Sequence, residues 1–149
     1  MIIYGDYHTH TTYSHGKGSI LDNAMVAKNK GLKEIAITDH GFTHQTFGVK
    51  RKDIENILMD VKKAKQATGV NVILGIEENF ISLNGKTGVM PKDLAFLKMI
   101  NCGYHKLVKP ASFKDYMGLI LPNNLKWYTK RQVEKNTICI YQFFTQNVK

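Results

Sequence analysis

Four short apolar runs, each with a histidine or an acid at or next to its end, constrain the fold of this chain most strongly. Each run has the length and β-branched content of a buried strand, and segments with helical periodicity lie between them. Strands that alternate with helices predict parallel β-α units, which here match the start of a β/α barrel. A doubly wound sheet is the alternative, but no glycine-rich phosphate-binding turn follows the first run. The runs are MIIYGDYH, KEIAITDH, GVNVILGIEEN and a fourth that ends near His105.

The segments between these runs carry helix signals. A first helix is predicted after Ser19, an N-cap residue followed three positions later by Asp22, and it should stop at Gly31. A second helix is predicted over about residues 52–67, where apolar side chains keep the helical spacing.

Beyond His105 the pattern is weaker. It predicts a loop, then one helix around residues 126–135, with Trp127 and Tyr128 as packing residues. The run TICIYQFF is rich in β-branched and aromatic residues and predicts a fifth strand.

Most of the histidines fall at the ends of the predicted strands. His8 and His10 are two positions apart, so in an extended chain both side chains face the same side. Because the carboxyl ends of parallel strands form one rim, polar side chains from several strands converge there. We therefore expect six residues to meet at this rim: His8, His10, His15, His40, Glu77 and His105.

Imidazole and carboxylate ligands together suit Zn, Mn or Fe. One histidine at a strand end is usually an ordinary polar residue, whereas six candidates in register favour more than one ion, with Glu77 placed to bridge a pair. Asp6 and Asp39 point away from the neighbouring histidines in regular strands, so we expect them to orient imidazoles instead of binding metal. Sites with several metal ions polarise phosphoryl oxygens and activate water, which predicts phosphoester hydrolysis.

Charge and composition narrow the class of protein. The net charge of +9 favours anionic partners, either phosphate esters or nucleic acid. Nucleic acid is not favoured, because no aromatic residues interleave with the helical lysines. No apolar run has the length of a membrane span, and the N-terminus lacks the order of a signal peptide, so we expect a cytoplasmic protein. Cys102 and Cys139 are too few for a disulfide framework.

The four strand-end motifs resemble those of the PHP domain family, the polymerase and histidinol phosphatase family. DYHTHTTYSHG resembles its first motif, ITDHG the second, GIEEN the third and GYHK the fourth, in order over roughly residues 1–130. The resemblance implies a distorted seven-stranded β/α barrel with up to three metal ions at the strand carboxyl ends. It also implies phosphoesterase activity, closest to that of the stand-alone phosphatases.

The resemblance also divides the six candidate ligands among three ions. Glu77 resembles the carboxylate that bridges the first and second ions, and His105 resembles a ligand of the second. The other four resemble ligands of the first ion, His8 and His10, and of the third, His15 and His40.

The chain departs from the family pattern after its fourth motif. Family members continue further and supply additional histidine and aspartate ligands, whereas residues 106–149 contain no histidine and only two acids, Asp115 and Glu134. We therefore expect a single domain over residues 1–149, shortened at its C-terminus, with fewer ions and without the last barrel strands. An open sheet edge would favour a homo-oligomer.

These observations predict a metal-dependent phosphoesterase that hydrolyses small phosphomonoesters, in the manner of histidinol phosphatases. One alternative is a catalytically impaired metal-binding remnant, or a subunit that needs another chain to complete its site. A weaker alternative is a nucleic-acid phosphodiesterase or a nucleic-acid-binding module.

Overall fold

The computed structural model describes residues 3–126 and 129–147, and its central element is a four-stranded sheet with the order β1-β2-β3-β4. β1 pairs with β2, and β2 with β3, in parallel. The parallel sheet confirms the predicted α/β class and agrees with an incomplete β/α barrel. The strands are β1 (Gly5–Thr9), β2 (Glu34–Ile37), β3 (Asn71–Asn79) and β4 (Met99–Gly103).

Two helices connect the first three strands, as predicted. α1 (Ile20–Asn29) begins with a capping box, in which the Ser19 hydroxyl accepts the N–H of Asp22 and the Asp22 carboxylate accepts the N–H of Ser19. α2 (Ile54–Thr68) is followed by Gly69, whose φ of +74° is a left-handed conformation that suits glycine at a helix C-cap.

The chain divides into two compact units. The first comprises the residues up to Phe42, Phe47–Glu77 and Val89–Asn101, and the second comprises Thr43–Thr46, Glu78–Gly88 and the residues from Cys102 on. Each unit has its own cluster of buried apolar side chains. The expectation of a single domain over residues 1–149 stays a prediction. Members of the first cluster include Ile20, Ala24, Ile35, Ile37, Ile57, Val61, Val72 and Leu74.

The C-terminal part differs from the sequence prediction. Instead of a strand over TICIYQFF, α5 runs continuously over Lys130–Asn147. Gln132 and Cys139 are buried and Phe143 packs against the second core, and these positions lie seven and four residues apart, which is helical spacing. The β-branched and aromatic content suggested a strand, but packing of one helical face decided the outcome. Trp127 and Tyr128 lie outside the described residues.

The segment before α5 was expected to be a loop and is mostly helical. It consists of α3 (Phe113–Asp115), a π-helical turn (Tyr116–Ile120) and α4 (Leu121–Asn124). Leu119 and Ile120 are buried in the second core, which explains why this segment is ordered as a helix.

Within the part of the chain that the structure describes, no helix combines the length and the apolar character needed to cross a membrane.

An ion pair between half-buried Arg51 and buried Asp93 joins two turns of the first unit. The Arg51 guanidinium donates to Asp93 with an Nη2–Oδ2 distance of 2.7 Å, and the N–H of Met90 donates to the same oxygen at 2.8 Å. The Arg51 Cζ atom also lies 3.9 Å above the ring of Phe42. Asp93 is only 1% exposed. Burial by itself would raise the pKa of Asp93, but the bonds from Arg51 and Met90 hold that pKa below its ordinary value.

We predict that Asp93→Asn lowers the free energy of unfolding by about 2 kcal/mol near pH 7, because a charge-assisted hydrogen bond is lost. The pKa of Asp93 is lower in the folded state, so its contribution is complete above the unfolded pKa of about 4. It is lost as the pH falls through the folded pKa. Urea denaturation at several pH values should therefore show the two proteins converging in acid.

Glu55→Gln on the exposed face of α2 is the matched control, and it should cost little at any pH. An equal loss in both variants, or a loss from Asp93→Asn that does not change with pH, would contradict the assigned role of the ion pair.

Candidate metal centre

Five of the six predicted ligands lie in the first unit, where three histidines converge on the carboxylate of Glu77. Its Oε1 atom lies 3.0 Å from Nε2 of His8, and its Oε2 atom lies 3.4 Å from Nε2 of His10 and 3.1 Å from Nδ1 of His40. The backbones of Glu77 and His40 form a parallel β-bridge, which places their side chains next to each other. Glu77 and His40 are buried, whereas the His8 side chain is 52% exposed.

His15 joins the cluster because the loop after β1 folds back on itself. The Thr11 carbonyl accepts the N–H of Gly16 at 2.8 Å, which closes the loop. A Cβ atom on Gly16 would lie 2.3 Å from the carbonyl oxygen of His10, so a larger residue cannot occupy this position without a backbone shift. The His15 ring centroid consequently lies 4.5 Å from that of His10 and 4.8 Å from that of His40.

Asp39 holds the same loop, and among the described residues its carboxylate forms no hydrogen bond with a histidine ring. Its Oδ1 atom accepts the N–H of Thr11 and the hydroxyl of Ser14, both at 2.6 Å, and its Oδ2 atom accepts the hydroxyl of Thr11 at 2.6 Å. The distance from Oδ1 to Nδ1 of His10 is 4.0 Å, which is too long for a hydrogen bond. The orienting role of Asp39 stays a prediction, and the geometry favours an action through the loop that joins His10 to His15.

Asp6 is exposed and contacts the backbone next to the cluster. Its Oδ1 atom accepts the N–H of His8 at 3.1 Å. Together with His10 and Asn23 it lines a cavity of about 240 Å³ beside β1 and α1. Its predicted role in orienting imidazoles stays a prediction.

His105 lies in the second unit, two residues after β4. There its Nδ1 atom lies 2.7 Å from Oδ1 of Asn79. The role of His105 as a sixth ligand stays a prediction.

The environment of His10 favours the neutral imidazole that binds metals. Burial lowers the pKa of His10, the Glu77 carboxylate opposes that shift, and His15 adds to it. Among the described residues, the Nδ1 atom of His10 has no hydrogen-bond partner. A metal ion binds the neutral form of imidazole, and the lowered pKa of His10 favours that form at this position.

Two groups of side chains could each hold one divalent ion. In each group the candidate ligand atoms all lie within 4.8 Å of one another, close to the spacing required for three ligands about 2 Å from one metal. His10 belongs to both groups. The groups are His8, His10 and Glu77, and His10, His15 and His40.

Sequence reasoning found the candidate ligands but missed the residues that hold them in place. Thr11 and Ser14 donate to Asp39, and Gly16 allows the tight loop. Their signal is visible in the stretch THTTYSHG, where small hydroxyl residues and a glycine fill the space between two histidines. These residue types form tight turns and side-chain-to-backbone hydrogen bonds, so a turn could have been predicted here, although not the backbone contact at Gly16 that sets its path.

Comparison with known proteins bears on this arrangement of ligands. The family model for the PHP domain matches residues 6–145, which include all six candidate ligands. This chain belongs to the PHP domain family. The assignment confirms the resemblance that the four motifs indicated.

The PHP domain is also similar to several curated bacterial proteins. A probable phosphatase of Vibrio parahaemolyticus is 28% identical over 128 residues, covering 81% of this chain and 48% of its own length. Probable phosphatases of Shewanella frigidimarina and Aliivibrio fischeri are 32% and 27% identical, with the same coverage. The chain therefore spans about half the length of these relatives.

We predict that Asp39→Ala lowers the free energy of unfolding of the metal-free PHP domain by about 3 kcal/mol, because buried donors of Thr11 lose their acceptor. Thr12→Ala is the matched control, since Thr12 lies in the same loop with an exposed side chain. Urea denaturation in the presence of a chelator measures both. Equal stability of the two variants would show that Asp39 does not hold the loop.

Proposed function

We propose that this PHP domain hydrolyses phosphate esters with the help of divalent metal ions. The observation that carries the proposal is the convergence of three imidazoles on the buried carboxylate of Glu77, at 3.0 to 3.4 Å. Family membership and the names of the probable phosphatases support the same chemistry. The proposed ligands are His8, His10, His15, His40 and Glu77, with His105 as the sixth.

Each part of the cluster has a distinct task in this proposal. When bound, divalent ions would polarise a phosphoryl oxygen and activate the attacking water. Glu77 supplies a negative charge between the imidazoles and is positioned by its bridge to His40. The exposed side of the cluster at His8 leaves room for a substrate to approach, whereas the buried side is fixed by the sheet.

We propose small phosphomonoesters as substrates, with a specificity like that of histidinol phosphatases. The net charge of +9 supports an anionic substrate. Zn or Mn is the proposed metal, with Fe as a third candidate, because histidine and carboxylate ligands suit all three. A cytoplasmic location is also proposed, as is a homo-oligomer formed through the open sheet edge.

Metal binding is the first test. We predict that Zn or Mn raises the melting temperature of the metal-free PHP domain, because a ligand that binds only the folded state stabilises it. His10→Ala removes a member of both candidate groups, so it should weaken metal affinity at least about 10-fold. His44→Gln is the control for histidine content, since His44 belongs to neither group. Equal affinities in both variants, measured by calorimetry, would contradict the proposed ligands.

Turnover is the second test. With p-nitrophenyl phosphate and added Mn or Zn, we predict hydrolysis that falls at least about 100-fold in Glu77→Gln, because the carboxylate that joins the imidazoles is lost. Glu55→Gln, an exposed acid on α2, should keep full activity. Elemental analysis of the same samples reports how much metal each variant retains.

The same assay separates the alternatives. Bound metal without turnover, under any added ion, would favour the impaired remnant or a subunit that needs another chain. For the nucleic-acid alternative, oligonucleotide affinity must fall steeply with salt, because binding to phosphates releases counterions. Weak binding that stays flat from low to moderate salt would remove that alternative.

A further inference from the structure

The side chain of Asn79 forms two hydrogen bonds with a single residue, His105. Its Oδ1 atom accepts the backbone N–H of His105 at 3.1 Å and lies 2.7 Å from the ring atom Nδ1. Both residues belong to the second unit, and Asn79 is only 1% exposed. The Asn79 amide is therefore shielded from water, whereas the His105 ring is partly exposed.

These two bonds determine where the hydrogen of the His105 ring sits. A backbone N–H can only donate, so the atom of Asn79 that receives it must be the amide oxygen, and the usual ambiguity of an amide flip disappears. An amide oxygen can only accept, so Nδ1 must carry a hydrogen. In the neutral ring the lone pair is then on Nε2, which is the opposite of the form that free histidine prefers.

Gly103 contributes to the same arrangement. A Cβ atom on Gly103 would lie 2.9 Å from Cε1 of His105, so the ring packs directly over the glycine backbone. The carbonyl oxygen of Gly103 also accepts the backbone N–H of Phe80, the residue after Asn79, at 3.3 Å. The Asn79 amide at Nδ1 and the Gly103 backbone next to Cε1 thus restrict the orientation of the His105 ring.

The amide nitrogen of Asn79 differs from the amide oxygen in its contacts. Among the described residues, its buried Nδ2 atom has no hydrogen-bond partner. A buried donor without a partner lowers stability, so a residue kept only for packing would avoid it. The two hydrogen bonds to His105 therefore favour a role for Asn79 in positioning that residue.

We propose that Asn79 is a positioning residue that holds His105 as the Nδ1–H tautomer and presents Nε2 as the nitrogen that binds a divalent cation. The ligand role of His105 rests on the proposed function. The tautomer is a property of the metal-free protein and is tested without any metal. A hydrogen bond to the other ring nitrogen is a common way to fix the tautomer of a metal-binding histidine.

Long-range ¹H–¹⁵N spectra of metal-free protein with ¹⁵N-labelled histidine distinguish the two tautomers. His105→Gln assigns the signal, and the wild type at about pH 8, where histidine is neutral, should show the Nδ1–H pattern. Asn79→Leu keeps the size but removes the acceptor, so the ring should change to the Nε2–H form. Asn79→Asp keeps an oxygen and should retain the original tautomer. Asn84→Ala, an exposed asparagine in the same unit, is the control.

Zinc titration of the same proteins tests the second half of the proposal. The affinity for zinc should be about 10- to 100-fold lower in Asn79→Leu than in the wild type. In Asn79→Asp it should be close to the wild-type value. An Nε2–H ring in the wild type overturns the proposal, and this measurement needs no variant to fold. A tautomer that follows Asn79 while zinc affinity stays constant overturns the ligand role. Wild-type protein that binds no zinc at all contradicts the proposed function and leaves the tautomer result standing.

Discussion

The parallel pairing of β2 with β3 is the constraint on which the metal centre depends. Ile37 lies opposite Leu74, and the same register continues three residues further on both strands to the bridge between His40 and Glu77. Because side chains alternate between the faces of a sheet, a slip of one residue would turn Glu77 away from the histidines. The buried apolar side chains that fix this register, rather than polar contacts at the rim, therefore bring the imidazole and the carboxylate together.

The sequence allowed the strand ends and the ligands to be predicted because both follow from short-range patterns. Ser19 and Asp22 marked the start of α1, and the strand-end histidines marked the rim. Two features of the structure could not be predicted from the sequence. The TICIYQFF run has strand-like composition, and only its packing against the second core makes it a helix. The turn that returns His15 to His10 depends on backbone contact at Gly16, which composition does not reveal.

The cluster sets burial against charge, and His10 shows which effect dominates. The neighbouring Glu77 carboxylate would by itself raise the pKa of His10, as an opposite charge normally does. The pKa is nevertheless lowered, so burial of the ring outweighs that attraction. A neutral imidazole does not form an ion pair, but it can bind a metal ion. Burial of the His10 ring therefore favours the form of this residue that a cation would bind.

In both units, a buried acceptor that is not itself a proposed ligand is hydrogen-bonded to a proposed ligand or to the loop that carries one. Asp39 accepts from Thr11 and Ser14 and so fixes the loop between two histidines, and Asn79 accepts twice from His105. Each makes at least one bond to a backbone N–H, whose position is set by the fold. An acceptor fixed by the backbone loses little entropy when a ligand binds, so the geometry of the imidazoles is established before any ion arrives. Changes at these acceptors should therefore alter metal affinity even though neither side chain needs to touch the metal.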